Sequence, residues 1–405
     1  MIVPYDPRSA RSRRAWATLK LELVVRGVRI GPAAVSAVKR RKPPIRVRSG
    51  VSGGIDLVLP GDIHANATPT LDLTVPELHW EERKFSLVRD GQALCPVEVY
   101  PRPAYYDEDD EHGTPLVSIG QMCSGDRICV GMTRHCFFWR RDLRCRFCSI
   151  GANAPAEAPA KTAETIAQAV AVAAADPVLP ARHVLIGGGT PDDQDRGAAF
   201  AAEACRAVKR HVEISVYAML VPPRDLDHIN RLKDAGVDEL GMNVELFDPS
   251  ERLRYAPGKE RRVGEQGYFR ALERAVEVFG PWNTRSIAIL GLEPPEVSIA
   301  GAIRLAQMGV MPILSPFRPL PGSELHAHPA PDIGALVDIQ EAVREGIRSL
   351  GTVPGPTCVA CQNNTAALPE PGFTRYYGTR WRGAASVNGL LRPGSEEDRE
   401  VPASS

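Results

Sequence analysis

Residues 128–148 read ICVGMTRHCFFWRRDLRCRFC, a short apolar run followed at once by a loop that holds three cysteines. Residues 128–132 have the length and composition of a buried strand. From this point the chain alternates between apolar runs of strand length and segments with helical periodicity. The stretch therefore predicts the first unit of a repeating β/α architecture, with the cysteines at the carboxyl end of its strand.

The alternation continues through the next two hundred or so residues. Five further runs of strand length follow the first: residues 183–186, 214–221, 240–247, 286–292 and 312–317. Helical patterns separate them, and in the first of these Thr162 suits the N-cap position before apolar residues at helical spacing. Six sequential β/α units predict an α/β fold with a parallel sheet, either doubly wound or curved into a partial, TIM-like (β/α)6 barrel. In both cases the chemistry is expected at the carboxyl ends of the strands.

The chain before residue 121 has a different pattern. Short apolar runs at 21–25, 55–59 and 71–75 are separated by Gly and Pro, which is typical of strands and turns. The residues from Pro393 onward have the composition of a disordered tail. We therefore predict four parts: a strand-rich N-terminal extension (1–120), a core barrel (121–330), a C-terminal helix with a barrel-closing segment (331–392) and a disordered tail (393–405).

Composition narrows the class of protein. The 49 basic and 49 acidic residues balance, so no global field recruits nucleic acid or membranes. With 43% hydrophobic residues the chain can bury a full core. No segment reaches the ~18 uninterrupted apolar residues of a membrane span, and the N-terminus lacks the apolar core of a signal peptide. Nine cysteines, some at short spacing, indicate metal ligation in a reducing cytosol rather than a disulfide scaffold. We expect a soluble, cytoplasmic protein without a membrane partner.

The cysteine loop carries the strongest chemical signal. Cys145 and Cys148 are separated by two residues and can bind one metal centre, and Cys136 can return to it if the eight intervening residues form an arch. Three thiolates leave one metal of a four-metal cluster without a protein ligand. Such an open iron accepts a substrate or a cofactor.

This loop resembles that of the radical S-adenosylmethionine (radical SAM) enzymes, whose three cysteines after the first barrel strand hold a 4Fe-4S cluster. The commonest family spacing has three residues in the first gap and two in the second. Here the first gap holds eight residues, a lengthening that occurs in some branches, while the second gap is kept. By this resemblance, Cys136, Cys145 and Cys148 would ligate the cluster, and the aromatic Phe147 would lie near the adenine of SAM.

A glycine cluster follows the second predicted strand. Gly187, Gly188 and Gly189 resemble the family's Gly-Gly-Glu-like turn, whose backbone contacts the methionine amino group of SAM. The alternative is an ordinary strand-to-helix turn.

Two polar residues close the fourth predicted strand. Asn243 and Glu245, followed by Arg254, resemble the corresponding stretch of lipoyl and biotin synthases. By that resemblance Asn243 and Glu245 would bind the ribose and the amino-acid part of SAM, and Arg254 its carboxylate. Otherwise Asn243 caps the sheet edge and Arg254 is exposed. The resemblance covers residues 126–325.

The resemblance also implies a reaction. A reduced cluster would cleave SAM to methionine and a 5'-deoxyadenosyl radical, which would abstract hydrogen from a small-molecule substrate in cofactor or specialised-metabolite biosynthesis. The electron would come from a donor such as flavodoxin or ferredoxin. The substrate cannot be read from these residues.

Other interpretations remain open. Cys145 and Cys148 could combine with Cys358 and Cys361 in a structural four-cysteine zinc site of a protein without radical chemistry. Alternatively, Cys358 and Cys361 could bind a second cluster or zinc, with Cys123 or Cys129 as further ligands.

A third interpretation is tRNA modification. It is motivated by 13 Lys and Arg against 2 Asp and Glu in the first fifty residues, including the run at 39–42, and by the arginines of the cysteine loop. The aromatic interleaving expected of a single-strand binder is absent around the run at 39–42. We therefore favour arginines that hold the loop or bind an anionic small substrate, and expect no nucleic-acid partner.

Overall fold

The computed structural model describes residues 4–41, 54–140, 142–192 and 194–377, apart from the side chains of Arg41 and Asn153. The predicted disordered tail lies outside these residues, as does the end of the basic run at 39–42.

Residues before 100 form a sheet with two helices. The helices are α1 (Ala10–Arg26) and α2 (Pro32–Arg41). The strands are β1 (Arg29–Ile30), β2 (Ile55–Leu59), β3 (Ile63–Ala67), β4 (Glu77–Glu81), β5 (Lys84–Arg89) and β6 (Gln92–Val99). Their order in the sheet is β1-β4-β5-β6-β2-β3.

The strand prediction for this region is right for residues 55–59, which form β2, and wrong for the other two runs. Residues 21–25 lie inside α1, because Ser9 caps that helix by accepting from the backbone N–H of Ser12. Residues 71–75 form no strand, and of their three apolar side chains Leu71 and Leu73 are exposed, so only Val75 contributes burial.

A second sheet of seven strands forms the centre of the molecule. Its strands are β7 (Gly120–Cys123), β8 (Arg127–Gly131), β9 (His183–Gly187), β10 (Ser215–Leu220), β11 (Glu239–Met242), β12 (Thr284–Leu290) and β13 (Val310–Pro316). They follow one another in chain order, with β8 to β13 parallel and β7 antiparallel at the edge. Because every crossover moves in one direction, the connecting helices share one face of the sheet. This order excludes the doubly wound alternative, whose strand order reverses. The α/β, partial-barrel prediction is confirmed.

Helices occupy the connections before, between and after these strands. They are α3 (Leu116–Ile119), α4 (Ile150–Asn153), α5 (Ala163–Ala174), α6 (Ala198–His211), α7 (Asp227–Asp234), α8 (Pro249–Tyr255), α9 (Pro257–Arg262), α10 (Gly264–Phe279), α11 (Pro295–Gln307) and α12 (Ile333–Ile347). The predicted cap of α5 is confirmed, since the side chain of Thr162 accepts from the backbone N–H of Thr165. Among the described residues, no helix combines the length and the apolar character that a bilayer crossing needs.

The segment 355–377 follows α12 and returns to the sheet. Gly355 bridges to Ile313 in β13, and the backbone N–H of Ala366 donates to the carbonyl of Leu314. The segment then reaches Asp126 and His183, which stand at the amino ends of β8 and β9. It thereby runs across the amino-terminal end of the strands, opposite to the cysteine loop.

Candidate active site

The cysteine loop leaves the carboxyl end of β8 and is tied to the turn after β9. The backbone N–H of Thr190 donates to the Sγ of Cys136 at 3.4 Å, and the backbone N–H of Phe137 donates to the carbonyl of Thr190 at 2.7 Å. These two contacts place the first cysteine beside the glycine turn at the mouth of the barrel.

The other two cysteines are held by the segment after β11. The backbone N–H of Arg146 donates to the carbonyl of Tyr255, and that of Gly258 to the carbonyl of Leu143. Burial raises the pKa of the Cys145 thiol well above its ordinary value, and nearby Glu245, Cys148 and Cys136 raise it further, although Lys259 opposes them. The three thiols of the predicted cluster therefore lie near one another, with Cys145 buried and Cys136 and Cys148 partly buried.

Gly258 matters to this arrangement because a side chain would not fit there. A Cβ at this position would overlap the carbonyl oxygen of Leu143 and lie 2.7 Å from the Cδ1 of Phe138. Both atoms belong to the cysteine loop, so only glycine allows α9 to approach the loop this closely.

Aromatic and charged side chains hold the loop from outside. Phe147 packs, partly buried, against Leu246, Tyr255 and Phe317. The Nε of Arg144 donates to Glu324 at 2.9 Å, and its guanidinium lies 4.8 Å from the ring centre of Trp139. Arg144 thus acts as a loop-holding residue, one of the two roles favoured for these arginines.

The glycine turn after β9 forms a narrow backbone cradle. Gly188 has a φ of 95°, in the left-handed region that favours glycine. A Cβ on Gly187 would lie 3.0 Å from the carbonyl oxygen of Met219, and one on Gly189 would lie 3.1 Å from the carbonyl oxygen of Thr133. The turn therefore presents backbone rather than side chains beside Cys136.

Asn243 and Glu245 lie after β11, in the same neighbourhood. The Oδ1 of Asn243 accepts from the backbone N–H of Ile287 at 3.2 Å. Glu245 has a φ of 70° and is 8% exposed. Its Oε1 accepts from the Nζ of Lys259 at 2.7 Å, whereas its Oε2 is buried without a hydrogen-bond partner in the described part of the chain.

Arg254 points away from this group. Its side chain is 60% exposed, lies 3.6 Å from Glu251 and stacks on Tyr255. The cation that contacts Glu245 is Lys259, to which the sequence assigned no role. Its signal was its place in the run Pro257-Gly258-Lys259 after the Asn243 and Glu245 pair. The predicted pairing of Arg254 with SAM stays a prediction.

Cys358 and Cys361 lie at the other end of the barrel. Asp126, His183, Cys358 and Cys361 are all buried, and one ligand atom from each lies within 4.8 Å of all the others. About 13 Å of strand separates the two ends of β9. The four-cysteine zinc interpretation is therefore wrong, because Cys145 and Cys148 cannot meet this pair. Cys123 and Cys129 pack instead with Leu185 and Tyr217.

Comparison with known proteins agrees with this geometry. Residues 142–299 match the family model of the radical SAM superfamily. The match includes Cys145 and Cys148 and begins after Cys136. A loop of three cysteines at the mouth of a partial barrel, with this match, defines a radical SAM domain. This domain assignment applies to residues 142–299, which are less than half of the chain.

Among curated proteins, the chain is similar to the bacteriochlorophyllide c C-7(1)-hydroxylase of Chlorobaculum limnaeum, with 28% identity over 134 residues. These residues are 33% of this chain and 33% of the relative, so the match spans about a third of that protein.

Two solved structures are also similar. One is a radical SAM methyltransferase from Sphaerobacter thermophilus (19% identity, 57% of this chain and 65% of that chain, TM-score 0.43). The other is the FeFe-hydrogenase maturase HydG from Carboxydothermus hydrogenoformans (17% identity, 56% and 54%, TM-score 0.42).

Proposed function

We propose that this protein is a radical SAM enzyme that acts on a small-molecule substrate in cofactor or specialised-metabolite biosynthesis. The proposal is supported by the nearness of Cys136 and Cys148 to the buried Cys145, and by the contact of Cys136 with the glycine turn after β9. When bound there, a reduced 4Fe-4S cluster supplies the electron that cleaves SAM to a 5'-deoxyadenosyl radical able to abstract hydrogen.

The donor set suits such a cluster. Three thiols on one loop give three iron ligands and leave the fourth iron open. The loop is fixed on both sides, by Thr190 at its start and by Tyr255 and Gly258 towards its end. A fixed loop supports cluster binding because little conformational freedom remains to be lost when the metal is bound.

The residues around the loop also suit SAM. The backbone of Gly187, Gly188 and Gly189 offers polar groups at close approach to the methionine part. The buried, unpartnered Oε2 of Glu245 is an acceptor that needs a donor, and an ammonium or a ribose hydroxyl provides one. Asn243 uses its Oδ1 for the sheet, so its amide NH2 is the group it would turn to a ligand.

Lys259 has a separate task in this proposal. It neutralises Glu245 and lies close enough to Cys145 to oppose the negative charge that collects at the thiolates. Phe147 would cover the adenine from its apolar cluster, as its partly buried ring allows. Lys259 and Phe147 would therefore contribute separately, Lys259 through its charge and Phe147 through its apolar ring.

The name of the curated relative describes hydroxylation at a carbon position, which supports a C–H bond as the site of first attack. The electron would come from a flavodoxin or ferredoxin type of partner. We propose no nucleic-acid substrate, because the balanced charge of the chain gives no general attraction to phosphate backbones.

The test is anaerobic. The full chain is reconstituted with iron and sulfide, reduced, mixed with SAM and assayed for 5'-deoxyadenosine, with Cys136→Ala beside Cys205→Ala. Cys205 is a buried core residue of α6 and serves as the matched control. We expect product from the wild type and the control and none from Cys136→Ala. A wild type that carries its cluster but leaves SAM intact would contradict the proposal.

A further inference from the structure

The amino-terminal end of the barrel holds a second group of metal-ligating side chains. Asp126 immediately precedes β8, His183 begins β9, and Cys358 and Cys361 come from the segment 355–377. All four residues are buried, with at most 8% of any of them exposed. No residue of this group belongs to the cysteine loop or to the proposed SAM contacts.

The Nε2 of His183 lies close to a ligand atom of each of the other three residues. The Nε2 of His183 lies 3.2 Å from the Oδ1 of Asp126, 3.2 Å from the Sγ of Cys361 and 3.8 Å from the Sγ of Cys358. One imidazole nitrogen carries at most one hydrogen, so it can donate to no more than one of these three neighbouring atoms. A cation among the four ligand atoms satisfies them together.

The spacing matches one tetrahedral ion. Zinc binds sulfur at about 2.3 Å and nitrogen or oxygen at about 2.0–2.2 Å, which sets tetrahedral ligand atoms about 3.3–3.8 Å apart. Besides the His183 distances, the Sγ of Cys358 lies 3.4 Å from the Oδ2 of Asp126. A cluster with two irons would spread its ligands further than the 4.8 Å limit that all four atoms share.

We propose that Asp126, His183, Cys358 and Cys361 form a closed, four-coordinate zinc site that fastens the segment 355–377 to the amino ends of the barrel strands. Two thiolates and a carboxylate on a divalent ion leave one negative charge. Arg127 is buried beside Cys358 and Cys361 and balances it. A complete ligand set without an open position is the pattern of a structural site.

Residues around the proposed zinc ligands orient the imidazole of His183. The ring of Tyr377 stacks on His183 with centres 4.2 Å apart and an angle of 14° between the planes. The hydroxyl of Tyr377 donates to Glu239 at 3.0 Å, and Glu239 is paired with Arg285. This stacking restricts rotation of the His183 ring, which helps to keep its Nε2 directed at the other three ligand atoms.

The segment has a clear need for this fastening. Its regular structure is one short 3₁₀ helix, Ala360–Asn364, and a few isolated bridges within the described residues. Cys361 lies inside this helix, and Cys358 bridges to Arg375. One ion bound by Cys358 and Cys361 would therefore connect this segment to the amino ends of β8 and β9.

The first experiment measures metal content in the full chain, purified anaerobically. We expect about one zinc per chain besides the iron of the cluster. Zinc should fall at least tenfold in Cys358→Ser/Cys361→Ser and stay in both Cys136→Ala and Cys205→Ser. Iron should fall in Cys136→Ala alone. The two metals therefore separate this proposal from the proposed function, since zinc content does not depend on SAM cleavage.

A second experiment uses the unmodified chain and does not depend on the folding of a variant. Zinc is removed with a chelator and replaced by cobalt, and the absorption spectrum is recorded. We expect the bands of tetrahedral cobalt together with thiolate-to-cobalt charge transfer. The Cys358 and Cys361 peptide should resist alkylation until a chelator is added. A chain that binds neither metal, a disulfide between these cysteines that only a reductant opens, or additional iron with acid-labile sulfide at this site would each overturn the proposal.

Discussion

Gly258→Ala should weaken cluster binding without touching any cysteine. The added methyl group would overlap the carbonyl oxygen of Leu143 and lie 2.7 Å from Phe138. Overpacking of this kind costs about 1–3 kcal/mol. Displacing the loop also removes the hydrogen bond from Gly258 to Leu143, worth about 1 kcal/mol, while alanine regains about 1 kcal/mol of helix propensity in α9.

The net cost of about 1–3 kcal/mol falls on the loop conformation that brings the cysteines together. Since 1.4 kcal/mol is a factor of ten, the affinity for the cluster should fall about 5- to 150-fold. The assay is retention of iron and sulfide against a competing chelator. Gly334→Ala in α12 is the matched control, because it also lies at the second position of a helix and a Cβ there would meet only the Oδ1 of Asp332, at 3.1 Å. Equal iron retention in both variants would refute the reasoning.

Three further predictions concern buried charges. Lys259→Met leaves Glu245 buried without its cation and should lower the unfolding free energy by about 3 kcal/mol, which Glu245→Gln in the same chain should largely restore. Arg285→Met should cost about 3–5 kcal/mol by isolating Glu239, seen in denaturant unfolding. Burial lowers the pKa of Lys20 to about 7. Between pH 7 and its ordinary pKa of 10.5, Lys20 is protonated in the unfolded chain and neutral in the folded chain, so the folded state loses stability as the pH falls. Methionine removes this penalty, and Lys20→Met should therefore raise Tm more at pH 7 than at pH 10.

A partly exposed ion pair is the control for the two predictions on buried ion pairs. Lys209→Met breaks a partly exposed pair with Asp238 and should cost less than about 1 kcal/mol, so equal losses for Lys209→Met and Lys259→Met would contradict the first prediction. A Tm gain for Lys20→Met that does not change between pH 7 and pH 10 would show that Lys20 remains charged in the folded chain.

The parallel core could be predicted from sequence because its signals are local. Strands buried on both faces read as continuous apolar runs, and Gly and Pro mark their ends. Residues 21–25 lack such a local signal, since a short apolar run fits a buried strand and a helix face equally well. The helix wins there because its cap at Ser9 and its burial against the barrel are supplied from outside the run.

Of the two candidate sites, one could be predicted from sequence and the other could not, for the same reason. The cysteine loop is contiguous, so its chemistry is visible in thirteen residues. Cys358 and Asp126, in contrast, are 232 positions apart, and only the strand order brings them together. A lone histidine at the start of a strand carries no local sign of metal binding, which is why His183 had no predicted role.

The cysteines at the two ends of the barrel therefore have different proposed roles: those of the cysteine loop in chemistry, and Cys358 and Cys361 in stability. In barrels of this kind, chemistry is built on the loops at the carboxyl ends of the strands, whereas residues at the amino ends serve stability. The loop of Cys136 follows that rule with three ligands and an open position. The group around His183 also follows that rule, because its four ligands leave no open position on the metal.

If zinc holds the amino end, chelation should lower Tm and expose the segment 355–377 to proteolysis while the cluster iron stays bound. Loss of iron together with zinc would show instead that the two ends fold as one unit.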